Sequence, residues 1–168
     1  MAVLFENMGR YEEAEALYLE TLALRREIFG PRHAKTATTL NNLATLYWST
    51  GDYAQAERYL REALEIREEV LGSESFSTLT TLNNLALLTG SMGDDALAER
   101  LFQRVLATRE KRLGSDHLLV ATSLNQLGLL YLRQRNFPDA ERVLKRSLSI
   151  RQSKLGIDHP DVSRSHFH

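Results

Sequence analysis

Cysteine is absent from the 168-residue sequence, which excludes disulfides, a thiol nucleophile and thiolate metal sites. Its absence fits a reducing cytoplasm. Three prolines and nine glycines are too few for a loop-rich or disordered chain. Neither sign of charge dominates. The 21 Lys and Arg against 22 Asp and Glu leave a formal net charge of −1. That balance provides no broad field for a polyanion and weighs against nucleic-acid or anionic-membrane partners. No apolar run approaches the roughly 20 residues that span a bilayer, and no basic-then-apolar leader is read at the start. Strand-period alternation is missing as well. What remains is a helix-permissive chain, 43% hydrophobic and 26% charged, able to bury a core.

What is present is a repeat of 42 residues. Leu40-Asn41-Asn42-Leu43-Ala44 returns as Leu82-Asn83-Asn84-Leu85-Ala86 and then as Leu124-Asn125-Gln126-Leu127-Gly128. Ala56-Glu57-Arg58 returns at Ala98 and Ala140, and Gly30, Gly72, Gly114 and Gly156 are evenly spaced. A fixed period in the range of about 20–50 residues indicates a stacked array, in which neighbours bury each other's apolar stripes. The spacing divides the chain into a partial repeat 1–35, repeats 36–77, 78–119 and 120–161, and a truncated tail 162–168.

Within one period the apolar spacing is helical twice. Leu40, Leu43, Ala44 and Tyr47 predict a first helix over about 36–50. Gly51 ends it and Asp52 caps a second helix over 53–71, with Ala56, Tyr59, Leu60, Ala63, Leu64 and Leu71 on one face. Ala44, Ala86 and Gly128 on the first helices, with Ala14, Ala56, Ala98 and Ala140 on the second, permit close approach. At Thr89-Gly90-Ser91-Met92-Gly93 the first helix is expected to fray. By period alignment the chain opens midway along a first helix, and Pro160-Asp161-Val162 leads towards another. Two expectations follow: a piece of a longer repeat protein, or half-helices that complement each other between molecules as a homo-oligomer.

The pattern Leu127-Gly128-x2-Tyr131 with Ala140-x3-Leu144, and Leu43-Ala44-x2-Tyr47 with Ala56-x3-Leu60, resembles the tetratricopeptide repeat. The 42-residue unit, with its LNNLA run and a Gly-x-x-His loop, is similar to the kinesin light chain type of that repeat. The resemblance implies an all-α, right-handed superhelical solenoid of antiparallel helix hairpins acting as a protein-interaction scaffold. Its first helices would line a concave groove for extended peptides.

No cofactor is implied, and no constellation of catalytic groups is found: neither a phosphate-cradling glycine loop nor a nucleophile beside a base. His33, His117 and His159 share one loop position, too far apart to share a metal and suited to bonding nearby backbone. His166-Phe167-His168 reads as a frayed tail.

The face the core leaves unused carries Thr38, Asn41, Thr45 and Trp48, then Thr80, Asn83, Leu87 and Gly90, then Thr122, Asn125, Leu129 and Leu132. An amide both donates and accepts, so Asn41, Asn83 and Asn125 either pair with the backbone of a bound strand or satisfy neighbouring helices. Trp48 either anchors an apolar ligand side chain or folds down to fill the volume missing at Gly90. Arg25, Arg67, Arg109 and Arg151 either draw an acidic segment, with Arg67 and Arg109 at the groove, or tie one unit to the next. Their repetition in every unit favours the second reading. The resemblance implies that a carboxylate clamp of the kind some tetratricopeptide proteins carry would need Lys and Arg on this face, where Thr45, Leu87 and Leu129 occupy one row and Asn the other, which argues against an acidic C-terminal tail as ligand. The partner expected is a protein or peptide.

Overall fold

In the computed structural model, which describes residues 2–156, every regular element is helical: α1 (Ala2–Asn7), α2 (Tyr11–Phe29), α3 (Ala34–Ser49), α4 (Tyr53–Leu71), α5 (Phe76–Ser91), α6 (Asp95–Leu113), α7 (Leu118–Arg133) and α8 (Phe137–Leu155). Two compact units divide the chain, residues 1–92 and 93–168. In the first, α2 packs on α1 and α3, and α4 packs on α3 and α5. In the second, α7 packs on both α6 and α8.

Local chemistry sets the helix ends. The α3 helix begins at Ala34, two residues earlier than the apolar spacing predicts, because the His33 imidazole accepts from the Lys35 amide at 3.1 Å. His117 does the same for Leu119 at the start of α7. Both histidines therefore bond backbone, while His159 and the His166–His168 tail lie outside the described residues. Asp52 caps α4 through Gln55 at 3.1 Å. Gly72 closes it at φ 84°, a conformation that costs a residue with a Cβ. The expected fraying at Thr89-Gly90 does not occur. The α5 helix continues to Ser91 with both residues buried, and the Met92 amide completes its last turn on Leu88 at 3.0 Å.

The first unit's core contains Leu40, Leu43, Ala44, Ala56, Tyr59, Leu60, Ala63 and Ile66, all buried. Ile66 is an addition to the predicted stripe and Leu71, 41% exposed, is a deletion. The reason is length. At 19 residues α4 exceeds the 16 of α3, so its last turn overhangs its hairpin partner by about 4.5 Å. In the second unit, a Cβ on Gly128 would lie 2.5 Å from Leu144 Cγ, so α7 and α8 approach where only a hydrogen fits.

Candidate functional site

Thr38, Asn41, Thr45 and Trp48 recur along α3 at helical spacing, and all four are at least partly exposed. Thr80, Asn83 and Leu87 take the same register on α5 and are half-buried. In the second unit Thr122 and Leu129 of α7 are exposed and Asn125 is half-buried.

The threonine hydroxyls turn back onto their own helices. Thr38 donates to the Ala34 carbonyl at 3.0 Å, Thr45 to Asn41 at 3.1 Å, Thr80 to Phe76 at 2.9 Å and Thr122 to Leu118 at 3.1 Å. Bonding of this kind satisfies the hydroxyl within the helix and leaves the methyl group for an outside partner.

Arg67 and Arg109, read either as attractors of an acidic segment at the groove or, on the favoured reading, as ties between units, lie inside the fold, 7% and 6% exposed. Arg67 donates to the Ser77 carbonyl at 2.9 Å, to Thr81 Oγ1 at 2.5 Å and to Thr38 Oγ1 at 3.4 Å. Arg109 donates to the Leu119 carbonyl at 3.2 Å and to Ser123 Oγ at 2.7 Å. Arg25 repeats the arrangement with Lys35 O at 2.7 Å and Thr39 Oγ1 at 2.8 Å. Each arginine thus ties its helix to residues 10 and 14 positions later, at the start of the following helix. Burial pulls the pKa of Arg67 and Arg109 downward. The Nε of each is buried without a hydrogen-bond partner. The physical reason for their inward placement is their position on the apolar stripe, where the stem packs and the charge follows it.

The receivers Thr39, Thr81 and Ser123 escaped sequence reasoning, although their 42-residue spacing was a signal that could have found them. One of them, Thr81, lies between buried Arg67 and Asn41. Thr81 accepts from Arg67, its single hydrogen lies within reach of both Ser77 O at 3.3 Å and Asn41 Oδ1 at 3.4 Å, and Asn84 Nδ2 donates to that Asn41 oxygen at 3.3 Å. The Asn41 side-chain oxygen is therefore engaged by Asn84 of α5. Asn83 Oδ1 is likewise buried, without a partner.

A cleft of about 280 Å³ also opens between α2 and α4, lined by Leu19, Leu22, Ala23, Arg58 and Tyr59, with the Arg26–Glu62 ion pair at its edge. Among the described residues no three His, Asp or Glu are grouped to hold a metal ion. No described helix is long and apolar enough to cross a membrane.

A tetratricopeptide-repeat family profile matches residues 1–69 and 77–153. The chain belongs to the tetratricopeptide-repeat family, and structures with kinesin light chain-like repeats are among those it is similar to. Among solved structures it is similar to BtubC (BKLC) of P. vanneervenii, at 30% identity and TM-score 0.83 over 95% of this chain. The chain spans 63% of the length of that relative. A kinesin light chain-like protein of Podospora anserina with nearly identical TPR-like repeats shares the fold at TM-score 0.85 and 24% identity, over 98% of this chain and 77% of that one. The apo form of RapI shares it at TM-score 0.76 and 17% identity, over 90% of this chain and 53% of the other. No curated protein matches the chain at a significant level. The fold is all-α and of tetratricopeptide type, a repeat scaffold of the kind that mediates protein interactions.

Proposed function

We propose that the chain is a non-enzymatic, cytoplasmic scaffold, read as a single array over 1–168, whose first-helix faces bind an extended peptide or partner segment. The observation that carries this reading is the pair of amides Asn41 and Asn83, half-buried on α3 and α5, with Asn41 held by Thr81 and Asn84. Asn has poor intrinsic helix propensity, so its mid-helix placement has a cost; bonds from the neighbouring helix offset part of it at Asn41, and a binding role the rest. Thr38, Thr45, Trp48, Thr80 and Leu87 flank the amides, and Thr122, Asn125 and Leu129 supply the equivalent set in the second unit. Arg67 and Arg109 act as internal ties. Nucleic acid and membrane are not among the partners.

Affinity capture from a lysate tests this. The native chain is compared with an Asn41/Asn83/Asn125→Ala triple variant of unchanged helicity. A partner held by the native chain and lost by the variant is the expected result, and identical capture by both contradicts it. A second reading, self-association, draws on α1, which buries no residue and leaves Val3 52% and Leu4 56% exposed. It requires a mass that grows with concentration and falls back in a Val3→Ser/Leu4→Ser variant.

A further inference from the structure

Leu19, Leu22, Ala23 and Arg26 fall at i, i+3, i+4 and i+7 on α2 and line one wall of the cleft against α4. Leu22 and Tyr59, 4% and 7% exposed, lie deep in it, while Leu19 stays 39% exposed. Tyr59 stacks on Tyr47 with centroids 5.6 Å apart, which fixes its ring. Three charged side chains line the cleft: Arg26, Arg58 and Glu62. Arg26 and Glu62 neutralise each other at 2.6 Å. Arg58 lies over the Tyr59 ring, 4.7 Å from its centroid, and the acids beside it on α4 are committed elsewhere, Glu57 to Arg61 at 2.6 Å and Glu62 to Arg26. One cation is therefore left beside an apolar floor.

The equivalent positions two periods later, in the second unit, lack that combination. Glu110 and Arg146 repeat the ion pair with its signs exchanged, at 2.6 Å. Gln103 stands where Leu19 does and donates to Glu99 of its own helix at 2.9 Å. Val143 replaces Tyr59. Arg142 replaces Arg58 but is neutralised by Asp139 at 2.8 Å, a position that carries Gln55 on α4. Stacking of second helices thus uses the ion pair in both units and does not require an exposed leucine beside an uncompensated arginine.

We propose that the α2–α4 cleft docks an acidic amphipathic helix of a partner protein, through one apolar side chain with an Asp or Glu one turn away. The inference stands apart from the peptide-binding reading of the first-helix faces. The volume, about 280 Å³, suits a single side chain of leucine or phenylalanine size. Both walls are helices whose backbone groups are already bonded, so the cleft offers no ladder to an extended main chain; a helix arrives with its own backbone bonds made. Its apolar side chain removes water from Leu19, Leu22 and Ala23. Its carboxylate pairs with Arg58, which lies within a turn's length of the Tyr59 ring. A basic residue at the same place meets like charge, so the sign of the partner is specified.

Methyl resonances of Leu and Ala in the full chain read the site directly. The probes are alanine-rich helical peptides of about 17 residues carrying Leu at i and Glu at i+4, with three controls: Lys for Glu, Ala for Leu, and a central Pro. Shifts at Leu19, Leu22 and Ala23 with the Leu–Glu peptide are expected, with each control bound about threefold or more weakly. Arg58→Glu is expected to reverse the order of the Leu–Glu and Leu–Lys peptides, and Leu19→Gln to weaken both; each side chain is exposed, and circular dichroism confirms that the variants stay folded. No shift at these methyls up to about 5 mM peptide, or an order unchanged in Arg58→Glu, overturns the proposal. Equal binding of the Pro peptide overturns the helical occupant. Cleft methyls that move when the chain alone is diluted overturn it too, because the occupant is then a second copy. None of these failures touches the first-helix reading, which the asparagine variant tests separately.

Discussion

The hairpin α3–α4 of the first unit and the hairpin α7–α8 of the second occupy equivalent positions two repeat periods apart, yet differ in residues that ordinarily decide such a turn. Between α3 and α4 the left-handed position is Gly51 at φ 85°; between α7 and α8 it is Arg135 at φ 59°. The hydrogen bonds nevertheless coincide. Asp52 N reaches Tyr47 O at 2.8 Å and Asn136 N reaches Tyr131 O at 2.8 Å; Gly51 and Arg135 bond Trp48 and Leu132 at 3.1 and 3.0 Å. Ala44 is buried in the first hairpin, whereas the equivalent Gly128 meets Leu144 in the second. Tyr47 stacks on Tyr59 at 5.6 Å, while the position equivalent to Tyr59 is Val143. The difference teaches that repeat position dictates the backbone, and side chains accommodate it at a local cost.

Substitutions in the two hairpins break or sharpen that comparison. Leu60→Ala removes a fully buried side chain and is expected to cost about 2–5 kcal/mol, whereas half-buried Leu144→Ala costs less. Urea unfolding of both variants checks the order. Gly128→Ala drives a Cβ to 2.5 Å from Leu144 Cγ and is expected to cost about 1–3 kcal/mol. In a Leu144→Ala background the same change should stabilise by about 1 kcal/mol, because alanine is the better helix former; equal losses in both backgrounds would show that the close approach is not the cause. Arg135→Gly relieves the left-handed strain and should stabilise by about 1 kcal/mol, with Gly51→Arg costing a similar amount, both read from thermal midpoints.

The smallest effect concerns the phenols. Tyr47 donates to Glu15 at 2.5 Å and Tyr131 to Glu99 at 2.9 Å. Burial first, then the neighbouring glutamate, raises the pKa of each above the ordinary phenol value. A folded value above the unfolded value near 10 means the contribution is complete below about pH 10 and drains away as pH rises towards the folded value. Tyr47→Phe or Tyr131→Phe should cost about 1 kcal/mol at pH 8, and the variants should lose less stability than the native chain between pH 9 and 11.

Much of the fold was legible because the 42-residue period multiplies each local signal: Leu40, Leu82 and Leu124 repeat one another, and the bounds of α4 follow from Asp52 and Gly72 alone. What was not legible depended on depth rather than pattern. The period places Arg67 on the apolar stripe but does not say whether its guanidinium emerges or turns inward. The answer lies in Thr81 and Ser77, on the next helix. The fraying expected at Gly90 failed for the same reason, since burial of Thr89 and Gly90 outweighs weak local propensity. Placement of the Asn41 and Asn83 rows on a partly exposed face was readable from spacing, whereas the partners of the Asn41 oxygen were not.

The most direct measurement is amide and side-chain hydrogen exchange on the full chain with and without a captured peptide. Slowed exchange at the asparagine side chains and first helices α3 and α5, with the charged surface of α4 unchanged, is the result expected if the first-helix face is the binding surface. Slowing confined to α2 and α4, around the cleft lined by Leu19, Ala23 and Tyr59, would contradict it.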